Sequence, residues 1–273
     1  MSSVLISSRS FTEGPEVAAA VAEALGLEMV GESLYEVAEQ HFAVPADALQ
    51  RAMEQGPSLC GMSSSRRRRL AWCVRATLAR RLTEADAVYH AALCGQFLRG
   101  IAHLLKVRIT ASPEARCKAA AGSDVPESQA LRRVEASDRV QNEIARMVFG
   151  LDDLDSDYDL VIDLSQTERQ GAVDEIVAAA QSPACRPTTF SKNQLRDRQV
   201  AQELAARLAC DLSIEVDVRV HGGTAEIRAQ APERKREKIR ARAESHAAVL
   251  EGIDRISVET VDSWLNPLPA SLR

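Results

Sequence analysis

The chain has 273 residues, 45% of them hydrophobic, and 39 Asp+Glu stand against 34 Lys+Arg for a formal net charge of -5. That is enough apolar content for one or two buried cores, and it excludes a wholly disordered chain. The acidic balance argues against a dedicated nucleic-acid binder, and charges interrupt every hydrophobic segment before the roughly 20 apolar residues that cross a bilayer.

Val4-Leu5-Ile6 lacks a basic segment before it and a small-residue cleavage site after it. A soluble, cytoplasmic protein with no membrane partner is therefore expected. Residues 4–7 read as a buried strand, residues 8–14 as a loop and residues 15–25 as a helix, with Pro15 in its first turn and Gly26 as its C-terminal cap. Helices over 34–40 and 46–53 precede a loop at 55–65. From 66 to 82 the positions Leu70, Cys73, Val74, Thr77 and Leu78 recur at helical spacing. Strands follow at 87–93 and 105–110, then a helix capped by Ser112 with Pro113 at its first position, a helix over 128–148, a strand over 158–164 and a helix over 171–180. Strands alternating with helices predict an α/β domain over 1–180, a mostly parallel sheet with helices on both faces.

Ser, Pro and Cys mark a linker at 181–191, and a compact pattern occupies 192–265. A helix over 195–209 leads to Ile214, Val216, Val218 and Val220, which alternate with charged residues. Gly222-Gly223 supply a hairpin turn, and Ala225, Ile227 and Ala229 alternate on the return. A helix over 232–249 and a strand over 253–258 complete a small α+β domain of order αββαβ. The 6 cysteines lie at wide, irregular spacing, which implies free thiols and no metal site.

Five ordered segments carry a family resemblance: Leu5-Ile6-Ser7-Ser8-Arg9-Ser10-Phe11, Val88-Tyr89-His90-Ala91-Ala92-Leu93-Cys94-Gly95, the stretch from Leu105 to Arg116, Val134-Glu135-Ala136-Ser137-Asp138-Arg139, and Tyr158-Asp159-Leu160-Val161-Ile162-Asp163. In order and spacing they resemble the cytidylate-kinase-like family of P-loop nucleoside-phosphate kinases. The resemblance implies a P-loop kinase-like sheet, ATP and Mg²⁺ as cofactors, and a nucleotide-binding site at Ser7, Ser8, Arg9, Thr12 and Gly14. It implies a lid at Arg132, Arg133, Asp138 and Arg139, with Arg9 and Arg139 as the catalytic cations. Residues 192–265 resemble a BON domain, which implies a small partner-binding module.

The phosphate loop departs from the family pattern. A working loop needs glycines, whose backbone N–H groups surround the phosphates, and a basic residue that neutralises them. Here Thr12 and Glu13 stand at glycine positions, and Pro15-Glu16 where the basic residue belongs. Glu13 and Glu16 are expected to oppose a phosphate and satisfy the helix N-terminus themselves. In the lid, Val140, Gln141 and Glu143 occupy turns where further arginines are expected. Two functions stay open: a degenerate kinase-fold module (a pseudokinase) that binds a nucleotide or a protein partner, and an active ATP-dependent nucleoside-monophosphate (cytidylate) kinase. His90 and His103 are expected to complete local hydrogen-bond networks, and Arg66 to Arg69 to form a solvated helix face.

Overall fold

The computed structural model describes residues 2–55, 61–91, 93–121 and 126–261. Cys60, Ala92 and the centre of the expected 55–65 loop lie outside them. Along the chain run β1 (Val4–Ser8), α1 (Gly14–Leu25), β2 (Glu28–Val30), α2 (Ser33–Phe42), α3 (Ala46–Glu54), α4 (Ser64–Glu84), β3 (Ala87–His90), β4 (Leu105–Thr110), α5 (Pro113–Ala121), α6 (Glu127–Ile144), β5 (Leu160–Asp163), α7 (Arg169–Ala180), α8 (Thr189–Leu212), β6 (Val216–His221), β7 (Thr224–Gln230), α9 (Arg236–Ala247) and β8 (Arg255–Val261). They group into two compact units, one of Met1–Ser33, Glu84–Ala145 and Asp152–Ser191, the other of Leu34–Thr83, Arg146–Leu151 and the chain from Lys192 onward.

The first unit holds a five-stranded sheet of order β2-β3-β1-β4-β5. Every pairing is parallel, with Val4 opposite Val88 on one side and Leu105 on the other. Strands of this kind are buried and read as continuous apolar runs, as Val4-Leu5-Ile6 does. Period-two alternation sends Val4, Ile6, Val107 and Ile109 to one face, where they meet Val17, Val21 and Leu25 of α1 and Val173 and Ile176 of α7. At its far end α1 stops at Gly26, whose φ of 63° is the left-handed conformation that a side chain resists. A smaller cluster joins α5 to α6 through Cys117, Ala120, Ala130 and Val134, with Phe11 against it.

From central β1 the chain runs outward to β2 and β3 and then crosses to β4 and β5 on the opposite side. The carboxyl end of β1 is therefore the point where strand order reverses, the usual ligand crevice of an open α/β sheet. That topology sets the functional loop between β1 and α1.

Several boundaries differ from expectation. Sequence patterning gave no sign of β2, whose Glu28 and Met29 are exposed. Its backbone pairing with β3 makes it a strand. The expected strand at 158–164 shortens to β5; just before it the Asp159 amide donates to the Lys106 carbonyl at 2.9 Å and the Asp159 carboxylate accepts from the Lys106 amide at 2.8 Å. The expected helix over 128–148 stays α-helical to Ile144 and turns through a π-helical segment, Ala145–Phe149, to Gly150 at φ 65°.

The second unit contains a three-stranded sheet of order β6-β7-β8. β6 and β7 are antiparallel and β7 and β8 parallel, which realises the expected αββαβ order. Gly222 and Gly223, at φ 51° and 77°, form the hairpin, since two consecutive positive φ angles suit the twist of the flanking strands. α2, α3 and α4 belong to this unit and not to the sheet that flanks them in sequence. The arginine run is only in part a solvated face: Arg66 is exposed, whereas Arg68 and Arg69 are half-buried and Arg67 is buried. Arg67 is 1% exposed; its guanidinium donates to the Arg51 carbonyl at 3.1 Å and to the Ala52 carbonyl, the open end of α3. Arg68 pairs with Glu215, and Arg75 lies 4.2 Å above the Trp72 ring. Packing of α4 inside the unit requires these partners, because a buried guanidinium without them is costly.

Candidate functional site

β1 ends in buried Ser7 and Ser8 and releases the chain into the loop that opens α1. The loop is held by its own backbone: the Arg9 amide donates to the Ile109 carbonyl at 3.0 Å, and the Thr12 hydroxyl donates to the Arg9 carbonyl at 2.8 Å. Phe11 takes φ 60°, a left-handed conformation unusual for an aromatic residue. Gly14 is required by contact, since a Cβ there would lie 2.4 Å from the Ser8 Cβ.

Arginines and carboxylates converge at the crevice. Arg9 donates to Asp155 at 2.7 Å and stands 3.6 Å from Asp138. Arg108, fully buried in β4, donates through Nε to the other oxygen of Asp155 at 2.9 Å. Arg116 of α5 grips Asp138 with a two-pronged pair at 2.8 and 2.6 Å and donates Nε to the Ser10 carbonyl at 2.9 Å. Burial opposes the charge of Asp155, but hydrogen bonds and charges from Arg9 and Arg108 outweigh it and hold the carboxyl below its ordinary value. Arg9 is likewise opposed by burial and held above its ordinary value by Asp155 and Asp138.

Hydroxyls of the loop are also engaged. Ser7 Oγ accepts from the Gly95 amide at 3.0 Å, and Ser8 Oγ lies 2.9 Å from His90 Nε2. Burial lowers the His90 pKa, with Glu16 pulling the other way, so the ring is neutral at neutral pH and completes the local network the sequence suggested. Cys94 behind Ser7 is pushed up to about 11 by burial, so its thiol is not a nucleophile there.

Glu13 does not cap α1. Its side chain makes no capping bond; it pairs with Arg169 Nε at 2.6 Å, where α7 begins. That corrects the expectation that Glu13 satisfies the helix N-terminus. A cavity of about 790 Å³ opens beside this pair, lined by Phe11, Thr12, Glu13, Glu16, Leu164 and Arg169 among others.

The lid residues separate. Asp138 joins the crevice through Arg116 and Arg9, whereas Arg132, Arg133 and Arg139 are exposed on α6. Where a further lid arginine is expected stands Gln141, 6% exposed, whose amide reaches the Ser10 hydroxyl at 3.2 Å. Sequence reasoning missed Arg108 and Asp155. An arginine inside the apolar strand Leu105–Thr110 signals a buried counter-charge, but nothing in the acidic stretch 152–159 singles out Asp155 as that partner. Among the described residues no cluster of His, Cys, Asp and Glu could hold a metal ion, and no helix is long and apolar enough to cross a membrane.

Among solved structures, the chain is similar to an uncharacterized protein from Eubacterium ventriosum ATCC 27560, at 16% identity and TM-score 0.49, covering 65% of this chain and 96% of that one. It is similar to a gluconokinase from Sinorhizobium meliloti 1021, at 16% identity and TM-score 0.38, covering 71% and 93%. A shikimate kinase from Bacteroides thetaiotaomicron matches at 10% identity and TM-score 0.41, covering 66% and 99%. No curated protein matches the chain. The model of the cytidylate kinase-like family matches residues 4–166, a span that holds the whole five-stranded sheet, the loop after β1 and the arginine–carboxylate crevice, and the chain belongs to that family.

Proposed function

We propose that the chain is a kinase-fold nucleotide-binding or regulatory module with little or no phosphotransfer activity, in which the αββαβ segment, resembling a BON domain, engages a protein partner. The observation that carries this reading is the state of Arg9. It is the cation of the loop, and it is committed to Asp155 at 2.7 Å with Asp138 at 3.6 Å. Phosphoryl transfer depends almost entirely on positioning and charge neutralisation, so a loop whose cation is already neutralised loses the main term.

Tested against ATP and Mg²⁺, the residues do not fit. Glu16 brings negative charge to the first turn of the helix that would receive a phosphate, beside Glu13, which is paired with Arg169. The hydroxyls of Ser7, Ser8 and Thr12 already bond to Gly95, His90 and Arg9. The neutral amide of Gln141 lies where a lid cation is expected, and Arg132 and Arg139 face solvent.

A second reading, an active ATP-dependent nucleoside-monophosphate (cytidylate) kinase, draws on one observation. Arg9, Arg108 and Arg116 converge on the crevice, where they pair with Asp155 and Asp138. A phosphate could compete with the carboxylates for those guanidiniums. Thermal-shift titration with ATP, CMP and dCMP, with and without Mg²⁺, followed by a phosphotransfer assay, separates the readings. Under the first, Mg²⁺-ATP gives no phosphorylated product. A Mg²⁺-dependent shift with turnover, both lost in Arg9→Ala, would establish the second.

A further inference from the structure

The second unit brings two cysteines together from positions 137 residues apart. Cys73, on α4, has its Sγ 3.3 Å from that of Cys210, on α8. Both are free thiols. A disulfide is about 2.05 Å long, so the sulfurs need to approach by roughly 1.3 Å, within reach of small side-chain rotations. Their environments differ: Cys73 is 0% exposed, whereas Cys210 is partly open to solvent. The hydrogen bond from Cys73 and the nearby Arg69 charge favour the thiolate of Cys210 against its burial, while the same bond and burial keep Cys73 protonated. A partly exposed cysteine whose thiolate is favoured, beside a buried thiol, is the arrangement of an attacking cysteine and its resolving partner.

We propose that Cys210 and Cys73 are a redox modification site, in which a hydroperoxide oxidises Cys210 and Cys73 resolves it to a reversible disulfide that ties α4 to α8. In the first step the Cys210 thiolate attacks the distal peroxide oxygen. An S–O bond forms, the O–O bond breaks, and the departing oxygen takes a proton to leave as water or an alcohol. In the second, Cys73 Sγ attacks the Cys210 sulfur of the sulfenic acid. The S–S bond forms, the S–O bond breaks, and the hydroxyl leaves as water with the Cys73 proton. Two thiols lose two electrons and the peroxide gains them. The inference does not depend on whether the crevice binds a nucleotide, because Cys73 and Cys210 both belong to the other unit. Cys94, Cys117 and Cys185 lie in the crevice unit and are buried.

The test uses the full chain and hydrogen peroxide. Cleavage after arginine places Cys73 in the peptide 70–75 and Cys210 in 208–219, each holding a single cysteine. Graded peroxide is followed by alkylation, proteolysis and mass spectrometry. The expected result is a 70–75 to 208–219 cross-link, two hydrogens lighter than the sum of its parts and removed by dithiothreitol, at doses that leave Cys94, Cys117 and Cys185 alkylated. Cys73→Ala is expected to accumulate a dimedone adduct on Cys210, and Cys210→Ala to leave Cys73 reduced at the same dose. Recovery of 70–75 and 208–219 fully alkylated from the wild-type chain, at doses that oxidise the other cysteines, would overturn the proposal. So would unchanged oxidation of Cys73 in Cys210→Ala. The wild-type measurement decides the matter even if a variant fails to fold.

Discussion

Asp155 shows how one side chain organises the crevice. Its oxygens are divided between Arg9 at 2.7 Å and Arg108 at 2.9 Å, one from the loop and one from the sheet. Burial works against the charge, yet the two arginines keep the carboxyl below its ordinary value. A depressed carboxylate pKa contributes stability that is complete above the unfolded value, about 3.9, and is lost as pH falls through the folded value. In Asp155→Asn the acid limb of the melting-temperature profile should flatten below about pH 4; an acid limb identical to wild type would mean that the pair contributes nothing there. Arg67 makes a second case. It closes the carbonyl end of α3 from inside the second unit, so Arg67→Ala leaves the Arg51 and Ala52 carbonyls without it and opens a cavity. Denaturant unfolding should register a loss of about 2–4 kcal/mol, only partly recovered in Arg67→Lys, whose ammonium lacks the planar fork. Neither role was legible in the residue alone. An arginine in a helix reads as a solvated face until its neighbours are known, and the acidic stretch 152–159 offers several equivalent partners for Arg108.

The strand–loop–helix β1 to α1 was the most readable element, because an apolar strand, a loop, a proline in the first turn and a terminal glycine are all local signals. Gly14 is required by its contact with Ser8. Gly14→Ala forces a Cβ to within 2.4 Å of Ser8, and a cost of about 1–3 kcal/mol is expected in chemical denaturation. Glu16 sits in the first turn of α1, where the helix dipole would otherwise favour an anion. Glu16→Arg restores the missing charge, and ATP with Mg²⁺ should then raise the melting temperature of the variant more than that of wild type. No gain would mean that the charge of Glu16 at the helix N-terminus does not limit binding of the nucleotide. β2 lies at the opposite limit: three residues with an exposed Glu and Met carry no period, and only pairing with β3 makes them a strand.

The grouping of α2, α3 and α4 with the chain from Lys192 onward is the feature most distant from the linear pattern. Within that unit α8 supplies partners to α2 and α4: Glu203 accepts from His41 of α2 at 2.6 Å, and Cys210 meets Cys73 of α4 at 3.3 Å. Truncation after residue 191 removes those partners together with Glu215, the partner of Arg68. The truncated chain should show dye-accessible apolar surface and a broadened thermal transition, checked by ANS fluorescence and circular dichroism. A truncated chain that melts as sharply as wild type would mean that α2 to α4 are held without α8. The sequence by itself determined the α/β class, the parallel sheet, the αββαβ order and the departures in the phosphate loop, since each rests on periodicity, turn residues or motif spacing over a few neighbouring positions. Only the tertiary structure decided that Arg9 is tied to Asp155 and Asp138, that Glu13 pairs with Arg169, that Arg67 is buried, and which unit holds α2 to α4. Those outcomes depend on contacts between residues far apart in the chain, where a charge finds the partner that makes its burial tolerable.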